Sequence, residues 1–281
     1  MMQNKKILLL FAAAFMLAAA SALCQTPSQS KPASTWSLPQ GTSPKESAPR
    51  TYRFTVDYNT ANERGEVIYR QHVTGDYTSG LPGGEVVWNN VAVANAAGPA
   101  ATFSPAQKRD FMEGFRYRKH VDNTLGPDFF KSFPATAVVE RNLVWDTGMI
   151  ETFGQNYFDK LTLNQPFTSI ANKDVPMPGV GNFHARQMVL QWNGRSVRNG
   201  QDCALIAYEA FFNPLDIANG GMTMKGRSDF WGEIWVSLAT KQIEYATLNE
   251  VVVGEMTLAG QSTPQVIDVL RTGVFEPVDP R

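Results

Sequence analysis

Between residues 185 and 271, runs of alternating apolar and polar residues follow one another at 185–192, 202–212, 221–238, 242–256 and 263–271, each separated by a short polar or glycine-bearing turn. A two-residue period sends successive side chains to opposite faces of a strand, and connections this short join neighbours that run antiparallel. This stretch is therefore committed to an antiparallel meander. Its best-defined hairpin pairs 232–238 with 242–248 through Ala239-Thr240-Lys241.

The same period opens the folded part. Tyr52, Phe54, Val56 and Tyr58 alternate with polar residues, 66–74 alternates again, and Asn62-Glu63-Arg64-Gly65 supplies a turn between them, so the two runs predict a hairpin. A third strand is expected over 85–94, after the breaker Gly80-Leu81-Pro82-Gly83-Gly84. In the middle the period changes. Ser104-Pro105 reads as a helix start that places Phe111, Met112 and Phe115 on one face. A second helix is expected over 148–161, where Met149, Ile150, Phe153, Tyr157 and Leu161 recur at three- and four-residue steps behind an Asp146 or Thr147 cap. Between the two, 137–145 reads as a strand. The expected fold class is α+β: a large curved antiparallel β-sheet, a meander whose curvature admits an open half-barrel, with two or three helices covering one face or mouth.

Ahead of the sheet lie two segments of other character. Lys5 and Lys6 precede an unbroken apolar run over 7–20 and then Ala20-Ser21-Ala22, the pattern of a cleaved export signal over 1–22. The run is short for a bilayer span, which needs about 20 apolar residues. The alternative is acylation of Cys24, although Ser21, Ala22 and Leu23 depart from the usual lipoprotein pattern three residues before the cysteine and directly before it. Residues 23–50 read as a disordered tether: from 25 to 50 there are five prolines and six serines, and almost nothing apolar beyond Trp36 and Leu38. The single β-rich domain is then 51–281, about 230 residues, long enough to bury roughly 70% of its unfolded surface without covalent staples.

Loss of the signal removes two of the 25 basic residues and none of the 26 acidic ones, leaving a net charge of −3. So weak and dispersed a charge gives no footprint for nucleic acid and no polybasic anchor for anionic lipid, and no later apolar run spans a membrane. The expected location is the periplasm or the extracellular space, with outer-envelope anchoring through Cys24 as the lesser alternative. Cys203, in Asp202-Cys203-Ala204-Leu205-Ile206, reads as a small buried residue, and nothing recommends a bridge to Cys24.

Catalytic signatures are missing from the sequence. His72, His120 and His184 are the only histidines, and there is no His-Glu-x-x-His, Cys-x-x-Cys or Gly-x-Ser-x-Gly. Ser28-Gln29-Ser30-Lys31 matches a Ser-x-x-Lys pattern inside the tether, where nothing can fix the lysine against the serine. The glycines at 80–84 lead into neither a helix nor a Lys-Thr pair, so they make no phosphate cradle. Asp229 and Glu233 would stand about 13 Å apart on a strand, beyond the roughly 5–9 Å of a glycosidase pair. No catalytic residue, metal site or cofactor is assigned, and the reading leans away from an enzyme.

The most suggestive surface surrounds Trp235. Phe230, Ile234, Val236 and Leu238 point one way along the strand, and Trp231, Glu233 and Trp235 the other, so both faces carry apolar groups. Either a helix covers the second face, or the sheet curls and that face lines a ligand cavity with Glu233 as a polar contact. Tyr208 and Phe212 would extend the same patch.

An exported domain that opens on a hairpin, is interrupted by helices and ends in an antiparallel meander resembles the lipoprotein-carrier type of bacterial envelope protein, an open half-barrel with helices plugging its mouth. The resemblance covers 51–271 and lies in the order of elements. It implies a non-enzymatic module holding an acyl chain or other apolar or amphipathic ligand between sheet and helices. On that reading Trp231, Trp235, Phe111, Phe115, Phe153 and Tyr157 line the cavity, and with Glu233 and Tyr208 they complete the candidate ligand-binding residues. Two alternatives stand beside it: a structural or partner-binding envelope protein that uses an aromatic sheet face, and an exported hydrolase with a noncontiguous site built on one of the histidines.

Overall fold

The computed structural model describes residues 37–38, 49–219 and 221–279, so the export signal, Cys24, the Ser28-x-x-Lys31 match and nearly all of the tether lie outside the described residues. Leu38 is described: its side chain is 5% exposed and joins the hydrophobic core.

Eleven strands form one antiparallel sheet. They are β1 (Arg50–Asn62), β2 (Val67–Leu81), β3 (Glu85–Ala97), β4 (Gln107–Lys108), β5 (Phe115–Arg118), β6 (Pro166–Met177), β7 (Gly181–Arg198), β8 (Gln201–Asn219), β9 (Met222–Ser237), β10 (Ile243–Leu258) and β11 (Gln265–Pro277). The spatial order is β4-β3-β2-β1-β11-β10-β9-β8-β7-β6, with β5 also on β3. Apart from β5 on β3, every link but one joins sequence neighbours. The exception is β1 with β11, which runs from Tyr52 opposite Pro277 to Asn62 opposite Ile267 and sews the first strand to the last. The sheet stays open, its edges lying at β4 and β5 on one side and β6 on the other.

The hairpins follow local chemistry. At the β1–β2 turn the Asn62 side-chain oxygen accepts the N–H groups of Arg64 and Glu66, and Gly65 takes the left-handed conformation (φ +74°) that closes it. In the β9–β10 hairpin Trp235 lies opposite Tyr245 and Ile234 opposite Ala246, a register that alternation leaves open.

The middle of the chain departs from expectation. No helix follows Ser104-Pro105. The Ser104 hydroxyl accepts the Asn95 N–H of β3 at 3.1 Å, the chain runs on through β4, and one 3₁₀ turn (Asp110–Met112) ends at left-handed Gly114 before β5. Pairing with the edge of β3 wins over a short helix that would have had to form alone. Conversely, 137–145 is not a strand: α1 runs Val138–Glu151, starting ten residues before the expected helix, and continues through a π-turn (Thr152–Asn156) and a 3₁₀ turn (Phe158–Lys160). Its β-branched start disguises a helical stripe, because Leu143, Val144, Thr147, Ile150 and Glu151 are buried on one side and tertiary packing overrides propensity. Among the described residues a single α-helix thus does the work assigned to two or three. Strand β6 was missing from the expectation because Pro166 and Pro176 break its pattern, as an edge strand allows.

Helix α1 lies against one face of the sheet. Glu140 accepts from Arg109 at 2.6 Å near its start. Asn142 approaches the Tyr58 hydroxyl, and Glu151 accepts from Tyr77 and Lys119, each at 3.0 Å. Gln155 donates to the Lys241 carbonyl beyond it. Gly154 lets the π-turn sit directly on β9 and β10: a Cβ there would stand 3.1 Å from Ile234 and 3.3 Å from Val236. Phe111 and Phe115, which expectation placed on a helix, pack in an aromatic cluster beside the helix start, with Phe133 at 5.0 and 4.9 Å and Trp145 against Phe130 at 5.3 Å.

Candidate functional site: the helix-covered face

The face of the sheet that carries α1 can be followed by register. On β9 it presents Ile234, Gly232, Phe230, Ser228, Gly226 and Met224; on β10 the opposite residues are Ala246, Leu248, Glu250, Val252, Gly254 and Met256. On β11 it continues with Phe275, Gly273, Arg271, Val269 and Ile267. Two members of this apolar series are charged, and they meet. One nitrogen of the Arg271 guanidinium donates to Glu250 and another to Asp146 of α1, while the Ser228 hydroxyl donates to Glu250 at 2.6 Å. The Tyr58 ring lies 5.1 Å from the guanidinium carbon.

Electrostatics follow from that enclosure. Burial opposes the Arg271 charge, but Asp146, Tyr58 and Glu250 together outweigh it and push the guanidinium pKa further up. Burial pushes Asp146 up to about 6, with Arg271 working the other way. Tyr58 is pushed up to about 12 for the same reason of burial. The group counts two carboxylates and one guanidinium, a net charge of −1 beneath a helix.

Past this group, away from Gly154, the face is apolar to the hairpin ends. Val252 and Ile267 are buried, Met256 and Val269 are partly buried, and Leu215 and Ile217 continue the surface on β8. Methionines among branched aliphatics make a deformable lining. At the same end a cavity of about 390 Å³ opens between Leu125, Pro127 and the β6–β7 turn (Pro176 to Gly181), with Ala218 beside it. A groove of about 510 Å³ shares Gly181 and Ala218 with it and takes in Ile217, Met224 and Pro264 together with Asp216, Lys225 and Glu255. By register Asp216, Thr223, Lys225, Glu255 and Thr257 point to the opposite face from Met224, so this groove wraps the hairpin ends and lies mainly on the tryptophan side.

The residues singled out from sequence divide between the two faces. Tyr208 (2% exposed) and Phe153 are together under α1, rings 5.4 Å apart, with the Tyr208 hydroxyl donating to the Thr247 carbonyl at 2.8 Å. Tyr157 lies nearby against Phe167 of β6 at 5.4 Å. Trp231, Glu233 and Trp235 occupy the opposite face. Trp231 is 37% exposed beside Phe211, Trp235 stands edge-on to Tyr245 at 5.3 Å, and Arg198 covers Tyr245 at 3.7 Å. The helix covers the Ile234 face, and among the described residues no helix covers the tryptophan face. Phe212 does not extend Tyr208: a bulge between Ala210 and Asn213 turns it outward, at φ +59° and 60% exposed.

Arg271, Glu250 and Asp146 were not found by motif. A signal did exist, because Arg271 and Glu250 each interrupt an apolar phase of a strand, Val269-x-Arg271-x-Gly273 and Leu248-x-Glu250-x-Val252.

The histidines sit outside this face. His72 pairs with Asp57 at 2.7 Å. His184 is held by Asp174 at 2.7 Å and Asp216 at 3.3 Å, and hydrogen bonds to those two carboxylates raise its pKa. His120 occupies a left-handed turn position. Asp229 pairs with Arg227 at 3.0 Å and accepts the Phe212 N–H. Cys203 is buried and unpaired, its thiol pushed up to about 11 by burial. Among the described residues no group of three or more His, Cys, Asp and Glu side chains could hold a metal ion, and no helix is long and apolar enough to cross a membrane.

The architecture is an open eleven-stranded antiparallel sheet with, among the described residues, one α-helix packed against one face. No family model matches the chain, and no curated protein does. A solved structure described as "Lipid-protein interactions in lipovitellin" is similar at 13% identity with a TM-score of 0.42, covering 81% of this chain and 25% of that one. This chain therefore spans a quarter of that chain's length.

Proposed function

We propose that the protein is an exported envelope module of bacterial type that holds an apolar or amphipathic ligand, of the acyl-chain kind, against the helix-covered face of its sheet. The observation that carries this reading is the apolar strip of Met224, Val252, Met256 and Ile267, which leads from the Arg271 group toward the cavity at the β6–β7 turn. The first turn of α1 reaches this end, where Arg141 lies against Gly179, yet Met256 and Val269 stay only partly buried there. Export rests on Lys5, Lys6 and the apolar run that follows, and acylation at Cys24 is the alternative route to retention in the envelope.

Native mass spectrometry of protein recovered from cells without detergent tests this reading. An added mass that leaves on solvent extraction is the expected result. A bare protein mass, unchanged after incubation with a long-chain acyl mixture, would contradict it.

The opposite face supports a second reading. Phe211, Phe212 and Trp231 stand exposed together there, as on an interface for a protein partner. That reading expects a stable complex that dissociates on Trp231→Ala, with no bound small molecule.

A further inference from the structure

We infer that the cavity at the β6–β7 turn receives the negatively charged head of an amphiphile, a carboxylate or phosphate on an apolar chain, and that Arg141 of α1 is the cation that selects it. The inference rests on the apolar-ligand reading above and deepens it by naming the ligand class and the place of its head.

The argument starts from an unneutralised charge. Four basic residues are buried among the described residues: Arg50, Arg141, Lys241 and Arg271. Arg50 pairs with Glu244, Lys241 with Asp159, and Arg271 with both Glu250 and Asp146. Arg141, 4% exposed, has no carboxylate bonded to it among the described residues. Glu140, its neighbour in the chain, is drawn off by Arg109 at 2.6 Å. The Arg141 Nη1 and Nη2 donate only to the neutral carbonyls of Ala135 and Pro134, at 3.2 and 3.1 Å, and the Phe130 ring lies 5.8 Å from the guanidinium carbon. Its Nε is buried with no acceptor. Burial pulls the Arg141 pKa down, with Glu140 working the other way, but a guanidinium keeps its proton in a protein. A buried cation with a spare donor and no counter-charge is completed by an anion.

Position comes next. Arg141 stands where the two walls of the cavity are held. One wall is Leu125 and Pro127, whose segment runs on to the Pro134 and Ala135 carbonyls that Arg141 binds; the other is the turn from Pro176 to Gly181. At the turn the guanidinium occupies the space that a side chain on residue 179 would take. A Cβ on Gly179 would stand 3.3 Å from the Arg141 Cζ and Nη2 and 3.6 Å from the unpartnered Nε. Gly179 also lines the cavity, so the charge and the cavity are one glycine apart.

The lining then decides what the cavity can hold. It carries no charged side chain of its own, and Leu125, Met177 and Val180 among three prolines make it apolar. Its volume of about 390 Å³ falls within the range of small-molecule sites. In such surroundings, with water displaced, a nearby guanidinium favours an anionic head over an uncharged one of the same chain length.

The test uses the delipidated full-length protein loaded with N-phenyl-1-naphthylamine, an uncharged apolar probe, which is then displaced by dodecanoate, dodecyl phosphate or dodecanol, each below its micelle or solubility limit. The two anions are expected to displace the probe at concentrations about tenfold lower than dodecanol does. Arg141→Met should bring all three to within about threefold of one another, whereas Arg141→Lys, which keeps the charge, should retain most of the preference. A fatty acid with a diazirine beside its carboxylate locates the head without any variant having to fold: in the unaltered protein it should label 125–127 or 176–181, and labelling confined to other residues would overturn the inference. Probe uptake with equal displacement by all three ligands would overturn the head-group inference and leave the carrier reading standing. Displacement by acetate or inorganic phosphate at the same concentrations would make this a site for free anions and overturn the amphiphile. Uptake of neither probe nor ligands would overturn both readings.

Discussion

Arg271→Ala is expected to be among the most damaging single substitutions in this protein, costing about 3–5 kcal/mol of folding stability. The guanidinium bridges Glu250 of its neighbouring strand and Asp146 of α1, so its loss leaves two carboxylates confined together with no counter-charge. The effect comes less from the lost attraction than from the charge left unpaired under the helix. For a domain of this size the thermal midpoint should fall by roughly 6–20 °C, a shift that scanning calorimetry resolves easily. The triple variant Arg271→Met, Asp146→Asn, Glu250→Gln separates the two causes. It removes all three charges at once and should recover most of the stability, whereas a structure that needs the ion pairs themselves would leave the triple variant as unstable as the single one.

Gly232→Ala should be the second large effect, for a steric reason. Gly232 lies on the helix side of β9 opposite Tyr208, and a Cβ there would stand 2.1 Å from the Thr247 carbonyl oxygen and 2.6 Å from the Tyr208 hydroxyl. That hydroxyl donates to the same carbonyl, so the hydrogen bond fills the space a side chain would need. Overpacking together with loss of a buried hydrogen bond predicts a cost of about 2–4 kcal/mol by urea unfolding. In a Tyr208→Phe background the hydroxyl clash is gone while the ring carbon, 2.7 Å from the Cβ position, remains, and the cost should be smaller by about 0.5 kcal/mol. Equal costs in both backgrounds would show that the Tyr208 hydroxyl is not what excludes the side chain.

The sheet was legible from sequence because alternation is a local signal that long strands repeat many times. Tyr52, Phe54 and Val56 on β1 and Phe230, Ile234 and Val236 on β9 all fall on the buried side that their spacing predicts. The helix was harder to read. Val138 and Val139 favour a strand locally, and what makes them helical is packing against β1, β2 and β11, none of which is near them in sequence. Ser104-Pro105 failed in the other direction: the cap was used, but for the edge of β3.

The candidate site was only half legible. Alternation separates Trp231 and Trp235 from Ile234, yet it cannot say which of two apolar faces the helix will cover, and tryptophan content points to the wrong one. Tyr208, expected to extend the tryptophan patch, lies instead on the other face against Phe153, and Phe212 is turned outward by an unsignalled bulge. Arg271 and Glu250 were visible as charges in an apolar phase, but their meeting required the register of β10 against β11.

The central claim, that the ligand lies along the helix-covered face and not along the tryptophan face, is tested most directly by N-phenyl-1-naphthylamine uptake in two variants. Met256→Glu places a carboxylate in the apolar strip at a partly buried position, and Trp231→Ala removes the most prominent ring of the opposite face. With folding checked by circular dichroism, Met256→Glu should weaken probe binding by at least about tenfold, in keeping with burial of a charge on an apolar site, and Trp231→Ala should leave it unchanged. Loss of uptake in Trp231→Ala with full uptake in Met256→Glu would move the site to the other side of the sheet and contradict the account.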